Sequence, residues 1–181
     1  MRRLRRSFFA RDSTTVAPEL LDKLLVAGPC VGRIVEVEAY MADDPASHAY
    51  RGQTRRNATM FGKPGRLYVY FTYGIHHCAN VVTGSAGDGQ AVLLRAVTPV
   101  AGIEEMRARR PGRPDRSHAD GPGKLCQAFG LDLRDDGRDL CDRASPVWIS
   151  DDGVPPPDTP RVGRRVGISV GVETPWRWRV P

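Results

Sequence analysis

The amino-acid sequence predicts a mixed α/β fold in a single domain, because strand-like and helix-like patterns are both present and no linker divides the chain. One strand-like segment alternates apolar and polar side chains, and two others are rich in aromatic and β-branched residues around Gly74, which indicates a tight β-hairpin. The pattern favours strands over 33–40, 67–73 and 75–82 and helices over 102–110 and 123–130.

The N-terminal part of the chain predicts a tail, a helix and a long loop. Residues 1–12 are basic and lack the apolar stretch of a signal peptide, so we expect a basic N-terminal tail. Residues 13–27 start with helix-start signals that include Pro18. The pattern leaves open whether residues 24–26 continue this helix or form a strand. Residues 41–66 are irregular, and long loops in compact domains are usually functional.

The C-terminal part predicts further strands around the two helices. Residues 91–98 form an apolar run that is typical of a buried strand. We also expect strands over 147–151 and 162–171. Residues 107–122 are polar and basic and predict a loop, and their composition does not decide whether that loop is ordered.

Composition and charge narrow the function classes. The 181 residues carry a net charge of +6, and arginine supplies 24 of the 27 basic residues, which suits a polyanionic partner. No run of apolar residues is long enough for a membrane span. The cysteines lack paired spacing, so we expect a reduced, cytoplasmic protein (nucleoid-associated if bacterial) with no metal site. The cysteines are Cys30, Cys78, Cys126 and Cys141.

The segment 33–40 carries the first candidate chemistry. In a strand, Glu36, Glu38 and Tyr40 share one face, although glutamates are depleted in strands. This face is either solvated or holds a catalytic carboxylate beside a stacking ring. The two carboxylates would stand about 7 Å apart, within the range of a glycosidase pair. Neighbours on one strand rarely flank a bond from opposite sides, so we favour one working carboxylate, which the spacing does not identify.

Three tyrosines and one arginine are further candidates. Tyr68 and Tyr70 share a strand face, and Tyr73 lies beside Gly74 at the predicted apex. They either pack in the fold or stack on nucleobases. Arg95 lies in an apolar run, so it needs a partner, either in a structural ion pair or at a catalytic carboxylate or phosphate.

The segment Gly121–Leu125 resembles a phosphate loop only superficially. It lacks the required glycine spacing, and Leu125 stands where that motif has a hydroxyl residue, so a nucleotide triphosphatase is not expected. Lys124 at a helix start either contacts a backbone phosphate or belongs to an ordinary helix terminus.

Eight short segments occur in an order that closely resembles the alkyladenine (3-methyladenine) DNA glycosylase family, over roughly residues 15 to 175. Each is weak alone, and together they are specific. They are Val35-Glu-Val-Glu-Ala-Tyr40, Asp44-Pro-Ala-Ser-His48, Gln53-Thr-Arg-Arg-Asn57, Met60-Phe-Gly-Lys-Pro-Gly65, Leu67-Tyr-Val-Tyr-Phe-Thr-Tyr-Gly74, Cys78-Ala-Asn80, Ala91-Val-Leu-Leu-Arg-Ala96 and Gly121-Pro-Gly-Lys-Leu-Cys-Gln-Ala128.

The resemblance implies a mixed α/β domain with a curved antiparallel sheet and a protruding β-hairpin, flanked by helices. It also implies a monofunctional glycosylase of base excision repair that needs no cofactor and acts as a monomer. Its partner would be duplex DNA that contains damaged purines of the 3-methyladenine, 7-methylguanine and hypoxanthine class. Such an enzyme flips the base out of the duplex and leaves an abasic site.

The resemblance also implies individual roles. Glu38 would activate the water, Tyr40, His48 and Tyr70 would stack on or contact the flipped base, Asn80 would crowd a purine 2-amino group, Tyr73 would fill the gap in the duplex, and Arg95 would support the site and the DNA backbone.

Two alternatives belong to other classes. A nucleic-acid-binding module without catalysis would use the same charge and tyrosines, but a face with two carboxylates repels phosphate. A glycosidase for nucleosides or sugars would use the carboxylates without a duplex. Release of free base from duplex DNA but not from a nucleoside separates the three functions.

Overall fold

The computed structural model describes all of residues 1–181, and its nine strands belong to one antiparallel sheet. The strands are β1 (Arg2–Arg3), β2 (Leu24–Ala27), β3 (Cys30–Tyr40), β4 (Leu67–Thr72), β5 (His76–Thr83), β6 (Gln90–Ala101), β7 (Val147–Asp151), β8 (Arg161–Gly163) and β9 (Arg177–Arg179). The helices are α1 (Arg6–Phe9), α2 (Ser13–Leu20), α3 (Ile103–Arg109) and α4 (Pro122–Phe129).

Strand β3 is the centre of the sheet. The order is β1-β7-β2-β3-β6-β5-β4, with β9 beside β3 and β8 beside β9. β6 pairs with β3 along nearly its whole length, whereas β2 covers the first part of its other edge and β9 covers residues 36–38. The sheet is curled, and β4 and β5 form the expected hairpin. The predicted fold class, a mixed α/β domain with a curved antiparallel sheet, is therefore confirmed.

A β-bulge interrupts the simple alternation along β3. Ile34 pairs with Val97 and Glu36 pairs with Ala96, so Val35 is an extra residue without a partner in β6. The buried core accordingly contains Ile34 and Val37 but not Val35. The prediction that Val35 shares a face with Val37 is wrong for this reason, because a bulge reverses the side-chain alternation at one position.

The main core lies between the sheet and the helices α2 and α4. It contains 29 buried residues, including Phe9, Leu25 and Phe129. Gly32 on β3 permits the close approach of α4, since a Cβ there would stand 2.6 Å from Val97 Cγ2 and 2.8 Å from Phe129 Cζ. None of the four helices combines the length and the apolar character that crossing a membrane requires.

Three segments differ from the sequence prediction. Residues 1–12 are packed against the domain rather than forming a tail, because β1 pairs with β7 and the Phe9 side chain is completely buried. Only Val162 and Gly163 of the predicted strand 162–171 are in a strand, β8, and residues 164–171 form a loop that contains two glycines with positive φ. Residues 24–26, for which the sequence pattern allows a helix or a strand, lie in strand β2.

The basic segment 107–122 has defined structure. α3 ends at Arg109, a short 3-10 turn covers Asp115–Ser117, and α4 begins at Pro122. His118 next to this turn is completely buried, and the backbone carbonyl of Ala119 accepts a hydrogen bond from Val97 of β6. These contacts attach the loop to the part of β6 that does not pair with β5.

Candidate active site

A cavity of about 540 Å³ opens where β3, β4, β5 and β6 meet two loops. A volume of this size fits a small organic group such as a nucleobase with part of its sugar. The strands contribute Tyr40, Tyr68, Tyr70, Cys78, Asn80 and Arg95, and the loops contribute residues 45–48 and Val166–Val170, which we call the cavity loop.

Glu38 lies directly behind the wall of this cavity, with no exposed surface. Its carboxylate receives hydrogen bonds from Tyr40 Oη to Oε2 (2.9 Å) and from the Val166 backbone N–H to Oε1 (2.8 Å). Arg95 Nη1 lies 3.3 Å from Oε1. All three partners line the cavity, so the carboxylate is separated from it by a single layer of donors.

Opposing effects set the protonation of Glu38. Burial raises the pKa of its carboxyl group, since the charged form loses hydration. Arg95, the Val166 N–H and the Tyr40 hydroxyl counteract part of this rise. Burial also raises the pKa of Tyr40, with a further contribution from the Glu38 charge, so its hydroxyl stays protonated and donates. The resulting carboxyl group has a higher pKa than usual and fixed partners, which suits a general base.

Glu36 is two residues away but has a different environment. Its Oε1 accepts hydrogen bonds from Arg95 Nε at 2.9 Å and from Arg177 Nε at 2.5 Å. It does not line the cavity. Arg95 thus contacts both glutamates, as a side chain in an apolar strand needs to. Glu38 contacts three residues that line the cavity, whereas Glu36 contacts one of them, Arg95.

Aromatic rings form one side of the cavity. The rings of His48 and Tyr70 meet edge to face with centroids 4.5 Å apart. Tyr68, behind them, places its Oη 2.9 Å from His48 Nδ1. Burial lowers the pKa of His48, as does the charge of Arg56, so the imidazole is neutral near pH 7. This wall, with Tyr40, presents uncharged aromatic surface that suits a stacked base.

Asn80 lies on the neighbouring strand and is nearly buried. Its side-chain amide donates to the backbone carbonyl of Tyr68 at 3.1 Å, which fixes its orientation across the β4–β5 pair. The side chain lines the cavity beside Tyr70 and Cys78. The structure therefore brings Asn80 together with the glutamate and the aromatic residues.

The hairpin tip stands at the mouth of the cavity. Residues 73–75 connect the paired residues Thr72 and His76, and Tyr73 and Gly74 both have positive φ, 52° and 68°. A left-handed conformation is uncommon for tyrosine and is typical of functional turns. The Tyr73 side chain is 80% exposed, and Ile75 beside it is 71% exposed. Two apolar side chains thus project into solvent from a tight turn.

Lys124 is not part of the cavity. It lies at the start of α4, where its Nζ is 2.8 Å from Asp120, in a second surface depression of about 610 Å³. His76, Arg110 and Arg113 also line this depression, and no hydrophobic side chain does. Burial, and then the charge of Arg113, lower the pKa of Arg110. This basic surface adjoins the hairpin, since His76 is the first residue of β5.

Sequence reasoning did not identify Arg165 or Val166. Val166 supplies a backbone N–H to Glu38, and Arg165 is buried beneath Tyr40. Both lie more than 120 residues from Glu38 in the chain, within the segment predicted as a strand. Every residue except proline has a backbone N–H, so the amino-acid sequence does not show which N–H has a role. A single arginine is also hard to single out in an arginine-rich chain.

The chain places no group of three or more His, Cys, Asp or Glu side chains where they could hold a metal ion. Its three lysines also lie away from the cavity wall. Lys23 pairs with Asp151 on β7, and Lys63 is exposed.

Comparison with known proteins identifies the family. Residues 7–181 match the model of the family described as Methylpurine-DNA glycosylase. A protein of Burkholderia cenocepacia (strain HI2424) is 54% identical over 179 residues, which cover 97% of this chain and 86% of the relative. Proteins of Carboxydothermus hydrogenoformans and Methanoculleus marisnigri are 45% and 47% identical, respectively. These two matches cover 97% and 95% of this chain and 93% and 92% of the relatives.

These three relatives are all provisionally named 3-methyladenine DNA glycosylase. The match of the family model to nearly the whole chain and the extent of the identity confirm the resemblance that the eight sequence segments predict. The chain belongs to the methylpurine-DNA glycosylase family, and it is therefore a DNA glycosylase, a hydrolase of N-glycosyl bonds.

Proposed function

We propose that this protein excises damaged purines from duplex DNA as a monomer, and that Glu38 activates the water that replaces the base. The substrates in this proposal are 3-methyladenine, 7-methylguanine and hypoxanthine, and the product is an intact abasic site. The observation that carries the proposal is one buried carboxylate, held by three donors, directly behind a cavity walled by aromatic rings.

The chemistry follows from the charge that develops in the reaction. When the bond between the sugar C1′ and the purine nitrogen breaks, its electrons leave with the base and positive charge grows on the sugar. A nearby carboxylate stabilises that charge and accepts a proton from the attacking water, whose oxygen forms the new bond to C1′. The other carboxylate, Glu36, is neutralised by two arginines, so the proposal needs only Glu38.

The hydrogen bonds of Glu38 leave one position for water. Oε1 takes both the Val166 N–H and the Arg95 contact, whereas Oε2 takes only the Tyr40 hydroxyl. A carboxylate oxygen has two acceptor positions, so Oε2 keeps one free. Because Glu38 has no exposed surface, water reaches it only when the wall of donors shifts slightly.

The aromatic wall supports base recognition. A flipped purine stacks on Tyr40, Tyr70 and His48, and a cationic methylated purine gains further attraction from the ring faces. Neutral His48 does not repel such a cation. Asn80 then crowds the position of an exocyclic 2-amino group, which would disfavour undamaged guanine and would place 7-methylguanine, which keeps that group, below 3-methyladenine and hypoxanthine in preference.

The surface around the cavity supports DNA binding. Tyr73 is placed to fill the space that the base leaves, assisted by Ile75. Exposed Arg56 lies beside β4, where it donates to the backbone carbonyl of Phe71, and Lys124 lies in the basic depression that includes His76 of β5. Cations on both sides suit the phosphates that flank an extruded nucleotide.

The first alternative, a binding module without catalysis, does not explain a buried carboxylate whose burial raises its pKa. A nucleoside glycosidase does not need an exposed aromatic tip or basic surfaces on both sides of the cavity. A lysine nucleophile is not expected, because none of the three lysines lines the cavity.

The test of the proposed function is release of free base. The protein is incubated with a duplex that contains one hypoxanthine, and the base is measured by chromatography alongside the free nucleoside as a matched substrate. The proposal expects free hypoxanthine and an unbroken abasic strand from the duplex and no release from the nucleoside. Release from the nucleoside at a similar rate, or a strand break with a borohydride-trapped protein adduct, contradicts it.

A further inference from the structure

One buried arginine, Arg165, lies against two of the three groups that hold Glu38, and the inference drawn from it rests on the proposed catalytic role of that carboxylate. The Arg165 side chain has no exposed surface and forms a two-pronged ion pair with Asp44, whose side chain is 2% exposed. Its Nη1 also donates to the backbone carbonyl of Ala39 at 3.1 Å, and Nη2 lies 3.3 Å from the carbonyl of Gly171. A single guanidinium therefore joins β3, the loop before His48 and the segment after the cavity loop.

The same guanidinium stacks behind the Tyr40 ring. Its carbon Cζ lies 4.7 Å from the centre of the Tyr40 ring and 5.4 Å from that of Trp176. Tyr40 lines the cavity and Arg165 does not, so Arg165 covers the ring face that points away from the cavity. A planar guanidinium suits this stacked position better than an ammonium group does.

Arg165 also precedes Val166, which donates its backbone N–H to Glu38. The Arg165 side chain thus anchors the chain immediately before the cavity loop. The backbone N–H of the next residue, Val166, contacts the carboxylate. Two of the three groups that hold Glu38 are fixed in this way: the Tyr40 ring through stacking, and the Val166 N–H through the adjacent anchor.

We propose that Arg165 is a positioning residue for the glycosylase reaction, which acts through Tyr40 and Val166 to keep the Glu38 carboxylate in one orientation behind the cavity. Its buried pairing with Asp44 fits this role, because such pairs contribute little net stability while fixing geometry. A misplacement of about 1 Å at a reacting group costs up to about 100-fold in rate.

The test compares two variants. Arg165→Lys keeps a cation beside Asp44 but loses the two-pronged contact and the planar stacking. Asp44→Asn combined with Arg165→Gln removes both buried charges together, so that neither remains unpaired. The readout is the pH dependence of single-turnover excision of hypoxanthine from a duplex, together with 13C NMR titration of the Glu38 side-chain carboxyl group.

We expect both variants to react about 10- to 100-fold more slowly at neutral pH, with DNA affinity nearly unchanged. We also expect the acidic limb of the profile and the NMR titration to move to higher pH, since weaker Tyr40 and Val166 hydrogen bonds favour protonated Glu38. The other groups that face Glu38 stay in place in these variants: Arg95 from β6, Arg177 from β9 and Cys78 from β5.

The control is a second ion pair, partly buried and absent from the cavity lining, between Lys23 and Asp151 on β7. Lys23→Gln with Asp151→Asn should lower the melting temperature and leave the pH profile unchanged. Folded Arg165 variants with an unshifted titration would overturn the positioning role, as would an equal shift in the control or loss of the fold in both variants. The NMR titration does not depend on turnover, so it tests the positioning role by itself. Failure of the proposed function would show instead as a wild-type protein that does not release the base.

Discussion

The β4–β5 hairpin contains two aromatic regions with opposite environments. Near its base, Tyr68 is 1% exposed, Tyr70 is half-buried, and both contact His48. At its tip, Tyr73 is 80% exposed and has a strained left-handed backbone. Tyr70 and Tyr73 are only three positions apart in the chain, so the local sequence composition does not distinguish the two regions.

This difference separates two tasks that the proposed reaction requires. The enclosed region is buried and held by several contacts, which favours base recognition and hydrolysis. The tip has few contacts to lose when it enters DNA, which favours a part that replaces the extruded base. Variants in the enclosed region should therefore change the chemical step, and variants at the tip should change base extrusion.

The largest effect is expected at Glu38. Glu38→Gln keeps the shape of the side chain but removes the general base, so single-turnover excision should fall by at least about 100-fold. Binding to damaged duplex should persist. Glu36→Gln is the matched control, and it should lose much less because Glu36 is paired with Arg95 and Arg177 and contacts only one residue that lines the cavity. If the two variants exchanged their ranking, Glu38 would not be the base.

The enclosed region should also determine the pH dependence. Burial raises the pKa of Glu38 above the ordinary carboxyl value of 4.5, and the general base works only when deprotonated. Single-turnover excision should therefore rise with pH through that raised pKa, by about 10-fold per unit on the acidic side. Rates measured between pH 4 and 8 check this, and an acidic limb that persists unchanged in Glu38→Gln would assign it to another group.

A smaller effect is expected at the hairpin tip. Tyr73→Ala removes stacking that offsets part of the cost of flipping, and a loss of about 1.4 kcal/mol would slow excision from a paired site about 10-fold. Fluorescence of 2-aminopurine beside the target reports the extrusion directly. The melting temperature should barely change, because the side chain is exposed; a large decrease with normal extrusion would show a packing role instead.

The smallest effect is expected outside both regions. Lys124→Ala should weaken binding to undamaged duplex a few-fold and lower the slope of log affinity against log salt by about one. Arg2→Ala on β1 is a control with the same change in charge at the far end of the strand order. Equal effects of the two variants would remove Lys124 from the DNA-binding surface.

Much of the fold was predictable because its elements have local signals. Hydrophobic periodicity or a turn-forming glycine marks the strand at 33–40, the hairpin around Gly74 and the helix after Gly121. The structure contains all three elements. The segment 162–171 was predicted wrongly as one strand, since Val166, Ile168 and Val170 alternate with glycine and serine. Val166 and Val170 are instead exposed in a loop that the buried Arg165 anchors.

The sequence predicts the side chains of the candidate site but not the contacts that hold Glu38 and Tyr40 in place. The structure brings Glu38, Tyr40, His48, Tyr70 and Asn80 together around one cavity, and the roles of these residues remain proposals. The Val166 N–H and the Arg165 anchor depend on contacts across more than 120 residues. No local pattern encodes such contacts, and the bulge at Val35 was hidden for the same reason.

The most direct test of the division between the two regions uses a target base that is already unpaired. Single-turnover excision is measured for Tyr73→Ala and Glu38→Gln on two duplexes, one with hypoxanthine paired and one with it in a single-nucleotide bulge. An unpaired base costs least to extrude, so the Tyr73→Ala defect should shrink from about 10-fold to less than about 2-fold, whereas the Glu38→Gln defect should stay undiminished. A Tyr73→Ala defect of equal size on both duplexes would show that the tip acts in the chemical step and would contradict the account.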